Sequence, residues 1–201
     1  MESIGTASHR HWLLGGGIGY KRCAPESGQR GRQMATASQP QIAIRRAKPG
    51  DAALLSSLNR EVQSIHAEAL PDLFKPPGSG TFSEFADLIA DPMSAIFIAE
   101  ADCMPVGYVY AQITRHGETA WLYPLDLIHV HHIGVRESHR KAGVATRLLD
   151  AVDELARAEG IGRVTLVVWA FNHPAREFFR RRGFELGVER LSRWIRATKP
   201  G

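Results

Sequence analysis

The most informative segment of this chain reads Arg140-Lys141-Ala142-Gly143-Val144-Ala145-Thr146. It follows a β-like run that ends in His131-His132-Ile133-Gly134-Val135, and it opens an amphipathic helix. The free N–H groups and the dipole at the start of a helix favour an anion, and small residues let the backbone approach one closely. The segment therefore predicts a phosphate-binding turn, although it is neither a GxxxxGK(S/T) loop nor a GxGxxG loop.

A βαβ unit is predicted around this turn. The helix runs from about Val144 to Glu159 and carries one apolar stripe, formed by Val144, Leu148, Leu149, Val152, Leu155 and Ala156. Gly160 suits the position that ends the helix. The next run, Val164 to Ala170, is nearly all apolar and predicts a strand buried on both faces.

A second helix is predicted after Asn172-His173-Pro174, with Asn172 or His173 as its N-cap. It ends at Gly183-Phe184 after the arginine run 180–182. This run is typical of a solvated helix end that complements the dipole. A phosphate or RNA contact is the alternative interpretation.

Two of these segments resemble signatures of the GNAT superfamily, the N-acetyltransferases that use acetyl-CoA. Arg140-x-x-Gly143-x-Ala145 resembles the family's R/Q-x-x-G-x-G/A pyrophosphate loop. The later order resembles its closing N-x-x-A-x-x-F/Y-Y-x-x-x-G-F pattern, through Asn172, Ala175, Phe178-Phe179 and Gly183-Phe184. The resemblance spans about residues 42–196 and implies an α/β (α+β) class, the GNAT fold. That fold has a mixed, mostly antiparallel sheet, helices on both faces and a splayed strand pair that holds CoA.

The resemblance also implies which residues bind acetyl-CoA. The pyrophosphate falls to the loop residues Arg140, Lys141, Ala142, Gly143, Val144, Ala145 and Thr146. The pantetheine arm pairs with backbone at Ile133, Gly134 and Val135, and Asn172 contacts it. No metal is expected, since the nine histidines show no HExxH or other zinc-ligand spacing.

The proton acceptor is predicted in the strand before the loop. An alkylamine with a pKa near about 10 is mostly protonated at pH 7, and a histidine with a pKa of about 6.5 is a sensible acceptor. The run 129–135 resembles the H-x-H-x-L-x-V strand of serotonin N-acetyltransferase, in which two histidines relay the amine proton through water. This resemblance assigns catalysis to His129 and His131, which share one face of a regular strand. His132 should point the other way unless a bulge intervenes. The alternative bases are Asp126, Glu68 and His66.

The sequence departs from the family at the general acid. Many members carry a tyrosine that protonates the leaving thiolate, and Phe179 stands at that position. Water or a tyrosine from elsewhere must take its place, the options being Tyr108, Tyr110 and Tyr123. The first helices and residues 70–81 and 110–123 are expected to determine which amine is accepted. An apolar wall, core packing or a dimer surface are the interpretations open for Pro71, Leu73, Phe74, Pro76 and Trp121.

The remaining patterns complete the order β-α-α-β-β-β-α-β-α-β. Strands are predicted at 41–46, at 95–99 and 106–111 as a hairpin around Asp102, from about 127, and finally from Phe184 to about Trp194. We expect residues 39–197 to form the acetyltransferase domain and residues 1–38 to be a disordered extension, with Met34 a plausible start of translation.

Composition limits the function classes. The formal net charge of +4 suits an anionic cofactor and makes nucleic acid an unlikely partner. Cys23 and Cys103 indicate no disulfide framework, and no apolar run reaches the ~18–20 residues of a membrane helix. We therefore expect a cytoplasmic protein with no membrane contact. Many members of the family are dimers, so the resemblance leaves a homodimer open.

The function implied is an acyl-CoA-dependent N-acetyltransferase that moves an acetyl group to a primary amine of a small molecule, peptide or protein. A CoA-binding sensor without turnover is the alternative, which Phe179 favours. An RNA- or ribosome-associated protein that uses the arginine run is a weaker third hypothesis.

Overall fold

The computed structural model describes residues 41–78 and 81–193. Their sheet has five strands in sequence order: β1 (Ile42–Arg46), β2 (Ser94–Ala101), β3 (Met104–His116), β4 (Leu125–Val135) and β5 (Val164–Leu166). The first four strands are antiparallel to one another, and β5 lies parallel to β4. This confirms the mixed, mostly antiparallel sheet. The predictions for residues 1–38 lie outside the described residues.

The helices follow the predicted order: α1 (Ala52–Ala69), α2 (Thr81–Ala90), α3 (Val144–Ala158) and α4 (His173–Arg181). α3 ends where expected because Gly160 takes a positive φ of 68° just after it. α4 starts with the Ala175 N–H donating to Asn172 Oδ1 at 3.2 Å, so Asn172 is the N-cap. Of the two N-caps proposed from the sequence, the structure selects Asn172.

The two faces of the sheet are covered by different helices. α3 packs on one face and builds an aliphatic core with Ile44, Val109, Ile128, Val130, Leu148 and Val152. α1 and α2 pack on the opposite face, where the core is formed by Leu55, Leu58, Phe85, Ile98, Tyr108 and Tyr110. The predicted helices on both faces are therefore confirmed.

Two predicted strands were wrong in extent. β5 ends at Leu166 instead of Ala170, its residues are only half-buried, and Val167 is 68% exposed. An apolar run does not by itself determine how far a strand is paired. Here β5 pairs with β4 at three positions only. The final strand from Phe184 is absent as far as Arg193, and Leu186, Val188 and Leu191 are exposed there. Trp194 lies outside the described residues.

The turn between β2 and β3 contains Cys103. The second cysteine, Cys23, lies outside the described residues, so the inference drawn from the two cysteines stays a prediction, as does the cytoplasmic location. Within residues 41–78 and 81–193, no helix is long and apolar enough to cross a membrane.

Candidate active site

A gap opens in the sheet between β4 and β5. The two strands pair only from Ile128–Val164 to Val130–Leu166, after which β5 ends. Residues 132–135 of β4 pair with β3 on one side, and on the other side no strand of the described residues pairs with them. The gap therefore leaves unpaired backbone N–H and C=O groups that an extended ligand can meet as a further strand would.

A β-bulge shapes the strand beside this gap. Tyr110 of β3 pairs with His132, whereas its neighbour Ala111 pairs with Val130, so His131 is an extra residue in β4. The extra residue shifts the alternation of side chains, and His132 lies edge-on to Tyr108 and Tyr110 of the α1-covered face. This bulge is the exception that the prediction for His132 allowed for, and His132 therefore does not point away from the other two histidines.

Three imidazole rings therefore lie together on one face of β4. The ring centroids of His129 and His131 are 4.7 Å apart, and His131 stacks on Tyr110 at 4.8 Å. His131 Nε2 lies 3.3 Å from Gln112 Oε1, and His129 Nδ1 lies 2.9 Å from Thr165 Oγ1. Because a carbonyl oxygen only accepts, Nε2 of His131 carries the proton and Nδ1 keeps the lone pair.

The electrostatics keep these imidazoles neutral. Burial, together with the smaller effects of the neighbouring His129 and His132, lowers the pKa of His131 to about 4. His131 still has an exposed side, so solvent screens part of this effect. Burial also lowers the pKa of His129, and burial with the nearby His66 lowers that of His132. Each ring therefore offers a lone pair at neutral pH, as a proton acceptor requires.

The alternative bases are engaged elsewhere or lie at the edge. The Asp126 carboxylate forms a salt bridge with Arg115 at the N-terminal end of β4. His66 Nδ1 lies 2.7 Å from the Val62 carbonyl, so this nitrogen is a donor. Glu68 is exposed near the C-terminal end of α1. His129 and His131 have the better surroundings for the role.

An aromatic cluster spans the approach to the histidines from the α1 side. His66 contacts Phe74 at 5.0 Å and Phe171 at 5.8 Å, and Phe74 contacts Trp169 at 5.2 Å. The cluster joins the loop after α1 to the segment that follows β5. Among the five residues considered for an apolar wall, Phe74 belongs to this cluster, whereas Leu73 and Trp121 are 56% and 92% exposed and are not core.

The possible general acids differ sharply in their surroundings. Phe179 is buried between Phe178 and Phe184, so it is a core residue. The Tyr108 hydroxyl donates to Asn59 at 2.7 Å, and burial raises its pKa well above the ordinary value. Tyr123 is 87% exposed. Of the three tyrosines considered, Tyr110 is the one stacked on His131.

The basic turn leads directly into α3. Gly143, with φ 82°, is the N-cap of α3, and no side chain caps the helix there. Lys141 also has a positive φ of 63°, so both residues take the left-handed backbone conformation just before α3. Arg140 Nε donates to the Val135 carbonyl at 3.3 Å. The turn therefore presents the N-terminal end of α3 and two cations beside the gap.

Several residues of this site were missed from the sequence. Gln112 and Thr165 bind the catalytic candidates, and Glu61 of α1 lies 3.5 Å from Arg140. Gln112 lies in β3 and Thr165 in β5, both far from the histidines in sequence. Only the pairing of these strands with β4 brings them beside the histidines. The available signal was the polar Gln112 directly after the mainly apolar run 106–111.

The family assignment follows from this geometry and from sequence comparison. The profile of the acetyltransferase (GNAT) family matches residues 60–184, which is more than half of the chain. The protein therefore belongs to the GNAT family of acetyltransferases.

Two curated relatives agree with this assignment. The uncharacterized N-acetyltransferase YycN of Bacillus subtilis is 33% identical over 63 residues, covering 31% of this chain and 40% of the relative. The uncharacterized N-acetyltransferase MJ1207 of Methanocaldococcus jannaschii is 30% identical over 106 residues, covering 51% of this chain and 44% of the relative. The chain thus spans less than half the length of each.

Solved structures share the fold at low identity. A tetramutant of the BH1408 protein from Bacillus halodurans superposes with a TM-score of 0.72 at 17% identity, covering 76% of this chain and 99% of that one. The aminoglycoside N-acetyltransferase AAC(6')-Iy in complex with CoA gives a TM-score of 0.63 at 20% identity, covering 82% and 100%. At these identities the likeness shows the fold.

Proposed function

We propose that this protein transfers the acetyl group of acetyl-CoA to a primary amine by direct attack on the thioester. One observation carries the proposal: the gap between β4 and β5 connects the basic turn at one end with neutral histidines along the same strand. A long ligand with an anionic end and a reactive end fits this arrangement.

Each part of the site takes one role. The N–H groups at the start of α3, with Arg140 and Lys141, bind the pyrophosphate, and residues 133–135 pair with the pantetheine arm. The cap leaves the Asn172 amide nitrogen available to the arm, because only Oδ1 serves the helix. These residues fit the cofactor in both charge and shape, and the acetyl carbonyl then lies beside the histidines.

The proton follows a short route in this proposal. The bound ammonium loses a proton to the His131 Nδ1 lone pair, directly or through a water held with His129. The neutral amine forms the C–N bond as the C–S bond breaks, and the electron pair leaves on the thiolate. The second proton of the nitrogen then passes to the thiolate, directly or through water, which gives the amide and free CoA thiol. A thiol pKa near ~8.5 lets the thiolate leave with modest help, so Phe179 does not prevent the reaction.

The first test measures binding and turnover separately. Titration calorimetry with acetyl-CoA should show binding, and a mixed panel of amines and peptides should give acceptor-dependent release of free thiol. The double variant His129→Ala/His131→Ala should lower turnover at least ~100-fold and leave the Kd of CoA unchanged. His116→Ala is the matched control, since that histidine is exposed at the end of β3. Unchanged turnover in the double variant would remove these histidines from the mechanism.

A CoA-binding sensor remains the second proposal, because Phe179 replaces the usual tyrosine and is buried in the core. Tight acetyl-CoA binding without thiol release from any acceptor would favour it. The amine class, the length of the acyl group and a homodimer also stay predictions.

A further inference from the structure

Helix α1 contacts both ends of the proposed cofactor channel. Near its C-terminal end His66 lies close enough to His132 to lower the pKa of that histidine. One turn earlier, Val62 packs so tightly on β4 that a Cβ added at Gly134 would lie 2.5 Å from its Cγ2. The next residue back, Glu61, reaches the connection between β4 and the basic turn.

The Glu61 carboxylate holds that connection at two points. Its Oε2 accepts the Glu137 N–H at 3.0 Å, at the first residue of the 3₁₀ turn Glu137–His139. The same oxygen lies 3.5 Å from the Arg140 guanidinium, which in turn donates to the Val135 carbonyl. Glu61 thus fixes the start of the connection and the arginine at its end.

We infer that Glu61 is a positioning residue that orders the basic turn for the pyrophosphate of the cofactor. The inference rests on the proposed function. A carboxylate beside an anion site opposes anion binding by charge alone. The contribution of Glu61 is therefore geometric: it fixes the Glu137 N–H and holds the Arg140 side chain at the mouth of the gap before the anion arrives.

Two substitutions separate geometry from charge. Glu61→Gln keeps an oxygen that accepts the Glu137 N–H and removes the charge, so the Kd of CoA should stay equal or become lower. Glu61→Ala removes the acceptor, and the KM for acetyl-CoA should rise about 5-fold with kcat nearly unchanged, as expected for one lost hydrogen bond. Alanine and glutamine both favour a helix, so both variants should fold.

A donor without the pyrophosphate makes the test specific. Acetyl-pantetheine reaches the histidines without using the basic turn, so Glu61→Ala should leave its turnover at the wild-type value. Glu84→Ala removes an exposed carboxylate from α2, so it is the matched control and should change turnover with neither donor.

Three results would overturn the inference. Tighter CoA binding in both Glu61 variants would make the carboxylate an electrostatic obstacle and nothing more. Equal losses with acetyl-CoA and acetyl-pantetheine would make it a general support of the fold. Wild-type affinity in Glu61→Ala would remove its role. If the wild-type protein itself binds no CoA, the proposed function fails first, and the two failures are thereby distinguished.

Discussion

The two faces of the sheet differ in chemistry although the same strands form both. In the described residues, the core under α3 is aliphatic apart from Phe97, with Leu148, Ile128 and Val152 inaccessible to solvent. The face under α1 and α2 holds a buried Tyr108–Asn59 hydrogen bond, three imidazoles and Gln112. Polar groups need partners when they are buried, and those partners fix ring positions. The α3 face therefore supplies stability, and the α1 face supplies precise placement of the site.

The largest effect on stability should come from the α3 face. Leu148→Ala removes a fully buried side chain from the aliphatic core, and it should lower the free energy of unfolding by about 2–5 kcal/mol. Denaturant unfolding measures the loss, and kcat should stay near the wild-type value below the melting transition. A fall in kcat at a temperature where the variant is folded would contradict the division between the two faces.

A smaller loss is expected on the α1 face. Tyr108→Phe leaves the buried Asn59 Oδ1 without its donor, at a cost of about 1–2 kcal/mol. Because Tyr108 also contacts the His132 ring, turnover should fall in this variant although its stability loss is smaller than that of Leu148→Ala. Turnover equal to that of Leu148→Ala under the same conditions would show that the polar pair only supports the fold.

The smallest effect concerns pH and His131. Its folded-state pKa of about 4 lies below the unfolded value of about 6.5, so the unfolded chain binds more protons between these values. Stability should therefore decrease as pH falls from about 6.5 to 4, and His131→Asn should make that decrease shallower. Melting temperatures from pH 7.5 to 4.5 test this. Identical slopes in wild type and variant would show that solvent screens the ring fully.

Much of the fold could be predicted because local signals coincide with local structure. The apolar stripe of α3, Gly160 at its end and the Asn172 cap are each encoded within a few residues of the feature they determine. The turn that we predict to bind phosphate is also encoded locally, since Gly143 and the start of α3 are neighbours in sequence. For this reason the described residues confirm the predicted helices and the order of the first five strands.

The remaining features depend on the pairing register between strands, which a short stretch of sequence does not determine. The bulge at His131 exists only relative to Tyr110 and Ala111 on another strand, and it decides the direction of His132. The early end of β5 likewise depends on where β4 stops being its partner. Glu61 and Arg140 are far apart in the sequence, so no spacing pattern could predict their contact.

The gap between β4 and β5 also affects how the protein should be handled. A strand with unpaired amides on one side is a template for pairing with another chain, and β4 carries such an edge beside apolar residues. If CoA pairs with that edge, ligand-free samples should self-associate more on storage than samples kept with CoA. Light scattering during concentration, with and without CoA, would measure this self-association and decide whether CoA should be present during purification.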